Sequence, residues 1–169
     1  MADPSGLLAA ARLLLGESNK GAPNQARLRR AVSTAYYALF HAIARAATDA
    51  SIGARHRNKP RYEVFYRGFE HRRLRGVFEA IDKPQMSAKE QTALGLQSAP
   101  QALRDVANAF VTLQRKRHWA DYSSSGKITR NEARDLVDLA ELGITQLHAA
   151  DAEQRKNLLV LLMISARET

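Results

Sequence analysis

The 169-residue sequence contains no cysteine. Disulfides, cysteine-ligated zinc and thiolate catalysis are thereby excluded. It has little in the way of apolar runs: the longest, Leu158–Ile164, is seven residues. A membrane-spanning helix needs roughly 20, so no membrane partner is expected. The beginning of the chain does not read as a signal peptide. Asp3 stands where a signal would carry positive charge, and Arg12 interrupts the run from Leu7 to Leu15. A cytoplasmic protein is expected. There is no segment of alternating strand pattern, no Asp/Glu/His set at metal-ligand spacing and no glycine-rich phosphate loop. No internal repeat of 20–50 residues is present. Neither a metal nor a cofactor is expected.

What is there is helix and positive charge. The hydrophobic fraction of 45% and the charged fraction of 25% are those of a soluble globular protein. The length suits one domain, taken as 1–169. The formal net charge is +9, which points to an anionic partner, nucleic acid first and a membrane surface second, and nucleic acid is the partner expected. The charge is uneven. From Arg55 to Arg75 eight Lys/Arg stand against Glu63 and Glu70, a net +6. From Arg130 to Gln154 two Arg stand against six acids, a net −4. The first region can meet phosphates; it can also be a solvated basic surface.

Hydrophobic periodicity predicts helices throughout. One covers Ser5–Leu15 and stops at Gly16, and Gly21–Asn24 punctuates the chain. A second runs from Gln25 to about Thr48 on the stripe Leu28, Val32, Tyr36, Leu39 and Ile43. Tyr37, His41 and Arg45 lie four apart on a neighbouring face, where His41 reads as a core histidine. Ser51–Pro60 reads as a basic loop. A third helix is predicted from Tyr62 to Ile81 despite Gly68 and Gly76, each of which costs about 1 kcal/mol relative to Ala. Ser87–Leu96 reads as a short helix. A fourth helix starts after Pro100 and runs to Trp119 on the stripe Leu103, Val106, Phe110 and Leu113. Thr129 and Glu132 have capping-box spacing for a fifth, and Asp151 can cap a last helix through Ile164. The run Leu158–Ile164 has no polar face, so it must bury against the bundle or a second subunit.

The chemistry gathers at Gln114–Tyr122, where three cations, an imidazole, an indole, a carboxylate and a phenol share nine residues. Arg117 continues the apolar stripe of its helix. A guanidinium cannot release its proton, so a buried one needs a carboxylate, helix-end carbonyls or a phosphate. Asp121, four residues on, is at ion-pair spacing. Two readings stand: an Arg117–Asp121 clamp, or an arginine poised for a phosphate. His118 points about 100° away from Arg117 and is a general acid or base only if its face lines the same cleft. Trp119 packs or stacks a base. Tyr122 is expected to anchor the following loop by its ring and hydroxyl. Arg67, His71 and Arg75 fall on one face of the predicted third helix. With Arg72, Arg73 and Arg115 they make a candidate phosphate-contact set.

At two segments the chain resembles the HEPN superfamily of helical nucleotide-binding domains. Tyr36-Tyr37-Ala38-Leu39-Phe40-His41 is similar to the Ala-Tyr-Tyr-Ala-Met-Phe-His type of second helix in bacterial members. Arg117-His118-Trp119-Ala120-Asp121-Tyr122 is similar to their Arg-x-x-Ala-Asp-Tyr element. The resemblance implies an all-α, up-and-down bundle of four to six helices, usually a homodimer. Its catalytic members are metal-independent endoribonucleases in which Arg steadies the phosphate and His, four to six residues on, moves protons. Here Arg115 is followed at that distance by Ala120, and no His follows Arg117 at that distance either. The expectation is therefore RNA or nucleotide binding, in a toxin–antitoxin or stress/defence setting. One alternative is an endoribonuclease using Arg117 with His118 or His71, with Asp121 and Tyr122 as further candidate catalytic residues. Another is a non-catalytic structural or partner protein, with a nucleotidyltransferase as one candidate partner.

Overall fold

The computed structural model describes residues 2–16 and 24–165, and these are helical with no strand among them. The eight α-helices are α1 (Pro4–Leu15), α2 (Gln25–Ile52), α3 (Pro60–Arg67), α4 (His71–Ile81), α5 (Ala88–Leu94), α6 (Gln101–Tyr122), α7 (Arg130–Ala149) and α8 (Ala152–Ser165). A 3-10 turn, Ala54–His56, precedes α3. The punctuation expected at Gly21–Asn24 lies, apart from Asn24, outside the described residues.

Local chemistry sets the ends. Asp3 accepts from the Gly6 amide at 2.9 Å and caps α1, and Gly16 closes it in the left-handed region. Ser87 and Glu90 form a reciprocal capping box on α5. Thr129 and Glu132 do the same for α7: the Glu132 amide donates to the Thr129 hydroxyl at 3.1 Å, and Glu132 accepts from the Thr129 amide at 2.7 Å. Asp151 accepts from the Gln154 amide at the start of α8.

The third predicted helix is two helices. It breaks at Gly68-Phe69-Glu70 between α3 and α4. Gly68 weakens the helix there, and Glu70 adopts an extended backbone as the residue before α4. The predicted loop Ser51–Pro60 is shorter than expected, because α2 continues to Ile52. The predicted end of the fourth helix at Trp119 is one turn early: α6 runs through Tyr122.

The chain divides into two compact units. One comprises Ala2–Ala42 and Ala109–Ile144. Its core is the α2 stripe of Leu28, Val32, Tyr36 and Leu39 with Phe110 and Leu113 of α6 and Val137 and Ala140 of α7, all buried. Gly143 permits close packing there: a Cβ at that position would lie 3.1 Å from Ala109 Cβ and 3.2 Å from Leu39. Arg12 ties α1 to α7 through Asp138, at 2.9 Å, and Glu141.

The other unit comprises Ile43–Asn108 and Thr145–Thr169. The α4 helix buries Leu74, Val77, Phe78 and Ile81, a stripe at three- and four-residue steps. Each such side chain contributes about 2 kcal/mol relative to leaving it in water. Tyr62 and Tyr66 of α3 pack with Ala44 of α2, and Ile52 and Phe69 flank them. The apolar run of α8 packs against α4 and α5 within the chain, which buries Leu158, Leu159 and Leu161. Leu162 is half-buried and Val160 is exposed. The side chains of Met163 and Ile164 lie outside the described residues. No described helix is long and apolar enough to cross a membrane.

Candidate functional site

The site lies in the unit formed by Ala2–Ala42 and Ala109–Ile144. Two helices build it. On α2, Arg29, Ser33 and Tyr37 are spaced by four and share a face. On α6, Arg117 and Asp121 are spaced by four, and His118 and Tyr122 repeat that spacing one position round.

Arg117 donates from Nη2 to the Tyr37 hydroxyl at 2.8 Å. Its Nε lies 2.7 Å from Asp121 Oδ2. That approach is a charge pairing off the N–H axis, since the Nε hydrogen makes no aligned hydrogen bond. Asp121 accepts from the Ser33 hydroxyl through its other oxygen. The result is a chain of contacts running Ser33, Asp121, Arg117, Tyr37. The Arg117 guanidinium also lies over the Tyr37 ring at 5.5 Å and the Tyr122 ring at 5.8 Å. Desolvation pulls the Arg117 pKa down, but the Tyr37 hydroxyl and Asp121 outweigh it, and the net shift is upward. Arg117 is thus a fixed cation, with 23% of its side chain exposed. Nearby, burial pushes the Tyr36 hydroxyl well above its ordinary range, against the opposing pull of Arg117 and a hydrogen bond to Gln114.

The outer edge is aromatic. Tyr122 is 68% exposed. The His118 ring lies 4.9 Å from it at a tilt of 44°. The expectation that Tyr122 anchors the loop is corrected. Because α6 continues through 122, that position follows His118 on the exposed face of the helix and does not turn inward.

A second arginine does the anchoring. Arg29 donates to the Ser123 and Gly126 carbonyls at 2.5 and 2.9 Å, and its guanidinium stacks on Trp119 at 4.8 Å. Gln25 exchanges two hydrogen bonds with the Ile128 backbone, at 2.8 and 2.9 Å. The loop after α6 is therefore tied to the first turns of α2. Gly126 has φ 92°, and a Cβ there would lie 3.1 Å from Trp119. Neither Arg29 nor Gln25 was expected in this role. The four-residue spacing of Arg29, Ser33 and Tyr37 gives their shared face but not the loop that Arg29 holds.

The candidate phosphate set is divided between the two units. Arg67 ends α3 and His71 starts α4, so the row of Arg67, His71 and Arg75 expected on a continuous helix is broken. Arg67 pairs with Glu63 at 2.6 Å, Arg73 with Glu70 at 3.4 Å and Arg75 with Glu79 at 2.7 Å. Arg72 is exposed, and His71 is half-buried. Arg115 belongs to the other unit. There it lines an open recess of about 420 Å³ with Lys116, Trp119, Lys127, Glu132 and Leu136.

Ala120 stands where the Arg-x4-His pattern places histidine, and it is 6% exposed. Its Cβ faces the interior, away from the His118–Tyr122 edge. Among the described residues no group of three His, Asp or Glu is arranged to hold a metal ion. Compared with models of known families, with curated proteins and with solved structures, the chain matches none.

Proposed function

We propose that this protein is a HEPN-like helical bundle that binds RNA or a nucleotide, and that it acts as a binder in preference to a ribonuclease. The supporting observation is the exposed His118–Tyr122 ring pair beside the fixed Arg117 guanidinium. An unpaired base stacks on an exposed aromatic ring regardless of its identity, and a neighbouring guanidinium meets its phosphate. A guanidinium carries five N–H donors, more than Tyr37 and Asp121 take up. Since those two residues already hold it, it loses little side-chain freedom on binding.

The buried methyl of Ala120 favours binding over cleavage. General acid–base chemistry needs a titrating group within hydrogen-bond reach of the 2′-hydroxyl or the leaving oxygen. The position where the resemblance puts that group holds a methyl turned inward. In this reading the protein is cytoplasmic and homodimeric, and it works in a toxin–antitoxin or stress/defence pair, with a nucleotidyltransferase as a candidate partner. The test is to incubate the purified chain with a labelled single-stranded RNA in EDTA and follow both anisotropy and strand length. Binding without cleavage is expected. Cleavage that His118→Ala abolishes would replace this reading with the metal-independent ribonuclease. Neither binding nor cleavage would leave the structural-partner reading.

A further inference from the structure

We propose that the turn from Arg55 to Arg61 is a contact surface for the phosphodiester backbone of a nucleic acid, with Arg55, Lys59 and Arg61 as the phosphate-facing cations. The proposal rests on the nucleic-acid reading above and adds a surface in the unit formed by Ile43–Asn108 and Thr145–Thr169.

The turn is rigid. Gly53, at φ 94°, directs the chain out of α2. The His56 amide then donates to the Gly53 carbonyl, and the Lys59 amide to the His56 carbonyl, each at 2.9 Å. Arg57 forks onto the Asp49 carboxylate of α2, with Nε 2.9 Å from Oδ1 and a second nitrogen on Oδ2. Tyr62, whose ring is fully buried, donates its hydroxyl to the same Asp49 oxygen at 2.7 Å. One arginine of the turn is therefore spent on holding it in place. Its neighbours are presented on a fixed frame, which lowers the ordering cost of binding.

The fates of the cations separate this turn from the rest of the basic region. Arg67, Arg73 and Arg75 each face a carboxylate of their own helix or its cap. Arg55, Lys59 and Arg61 are exposed and pair with no carboxylate among the described residues. Arg55 donates instead to His56 Nε2 at 3.0 Å, which needs a neutral ring. The His56 pKa is lowered, by desolvation first and then by repulsion from Arg61, Arg55 and Lys59. Three like charges held around one imidazole are a standing repulsion that a polyanion relieves. The start of α3 adds one donor, the Arg61 amide, since Pro60 has no N–H and the Tyr62 and Glu63 amides donate to the Lys59 carbonyl. A shallow recess of about 260 Å³, lined by Arg57, Asn58, Lys59, Pro60 and Glu63, lies in the same turn. Its one acid, Glu63, is paired with Arg67.

A nucleic acid fits better than a membrane surface. Interfacial helices present a broad apolar face. Tyr62 and Tyr66 of α3 are turned inward, Phe65 is half-buried with its ring edge-on to Phe69, and Val64 is the one large apolar side chain of α3 that is exposed.

The test compares two variants of equal formal charge. In one, Arg55, Lys59 and Arg61 are replaced by Ala. In the other, Arg67, Arg73 and Arg75 are. Affinity of the full chain for a labelled single-stranded RNA, and for DNA of the same sequence, is measured against salt concentration. Each phosphate contact on a single strand contributes about 0.7 to the slope of log affinity on log salt, so the first variant should lose about 2. The second should change much less, because its cations are already neutralised. The RNA and DNA arms say which nucleic acid supplies the backbone. If the alanine variant does not fold, Arg55→Gln/Lys59→Gln/Arg61→Gln takes its place. Arg55→Lys/Arg61→Lys should keep the wild-type slope. Equal flattening in both charge variants, or in neither while the wild type binds, overturns this surface alone. A wild type that binds neither nucleic acid overturns the nucleic-acid reading with it. Binding only to phosphatidylserine vesicles overturns both in favour of a membrane surface.

Discussion

The Arg117 guanidinium donates to the Tyr37 hydroxyl at 2.8 Å, joining residues 80 positions apart in the chain. It does so from a helix face where a cation would otherwise be costly to bury. The same guanidinium is paired with Asp121, which accepts in turn from Ser33. Both readings of Arg117 thus meet in one geometry: the arginine is a clamp, and the clamp leaves it facing an exposed aromatic edge.

Replacing Arg117 by Ala should cost about 2 kcal/mol. That lies between the small value of an exposed pair and the 3–5 kcal/mol of a fully buried one, as a side chain less than a quarter exposed requires. Lys should restore little, because it lacks the planar fork whose separate nitrogens reach Tyr37 and Asp121. A double-mutant cycle with Tyr37→Phe should give a coupling of about 1 kcal/mol. Urea denaturation measures all three. Additive losses would show that the hydrogen bond contributes nothing.

Gly126→Ala should destabilise the protein by about 1–2 kcal/mol, because its positive φ strains any residue with a Cβ. The added carbon would also press on Trp119 at 3.1 Å. Thermal melting checks this. Trp119 is the chain's one tryptophan, so its fluorescence should report the same disturbance.

The Asp49 anchor predicts two pH limbs. Burial raises the Asp49 pKa, but hydrogen bonds from Arg57 and Tyr62 outweigh it, and the net value is below the ordinary one. A folded pKa below the unfolded one gives stability that is present above about 3.9 and lost as pH falls through the folded value. Tyr62 is the opposite case. Burial first, and then its bond to Asp49, push its hydroxyl up to about 12. Its contribution is whole below the unfolded value of about 10 and is lost as pH rises toward the folded one. Tyr62→Phe should therefore flatten the alkaline limb of a denaturation-against-pH curve. An unchanged alkaline limb would place the titration elsewhere.

The helices were legible in the sequence because apolar residues at three- and four-residue steps have one good burial solution. Leu103, Val106, Phe110 and Leu113 are all buried as that rule requires. The caps at Thr129 and Asp151 were legible because they act over three residues. The pairing of Arg117 with Asp121 was legible as spacing. The break at Gly68 was not, since Leu74, Val77, Phe78 and Ile81 continue an acceptable helical period after it. Nor was the role of Arg29, whose acceptors are backbone carbonyls 94 and 97 residues away. No local pattern says where a Ser/Gly loop will come to rest. Tyr122 was misplaced for a related reason: one further turn of α6 moves it from the loop to the exposed face.

The ring pair is tested most directly by the RNA affinity of His118→Ala/Tyr122→Ala. Tyr122 is mostly exposed, so the melting temperature should stay near that of the wild type. Loss of a stacked base should weaken single-stranded RNA binding by roughly 5- to 150-fold, the equivalent of about 1–3 kcal/mol. Wild-type affinity in the folded double variant would contradict the proposed role of this edge.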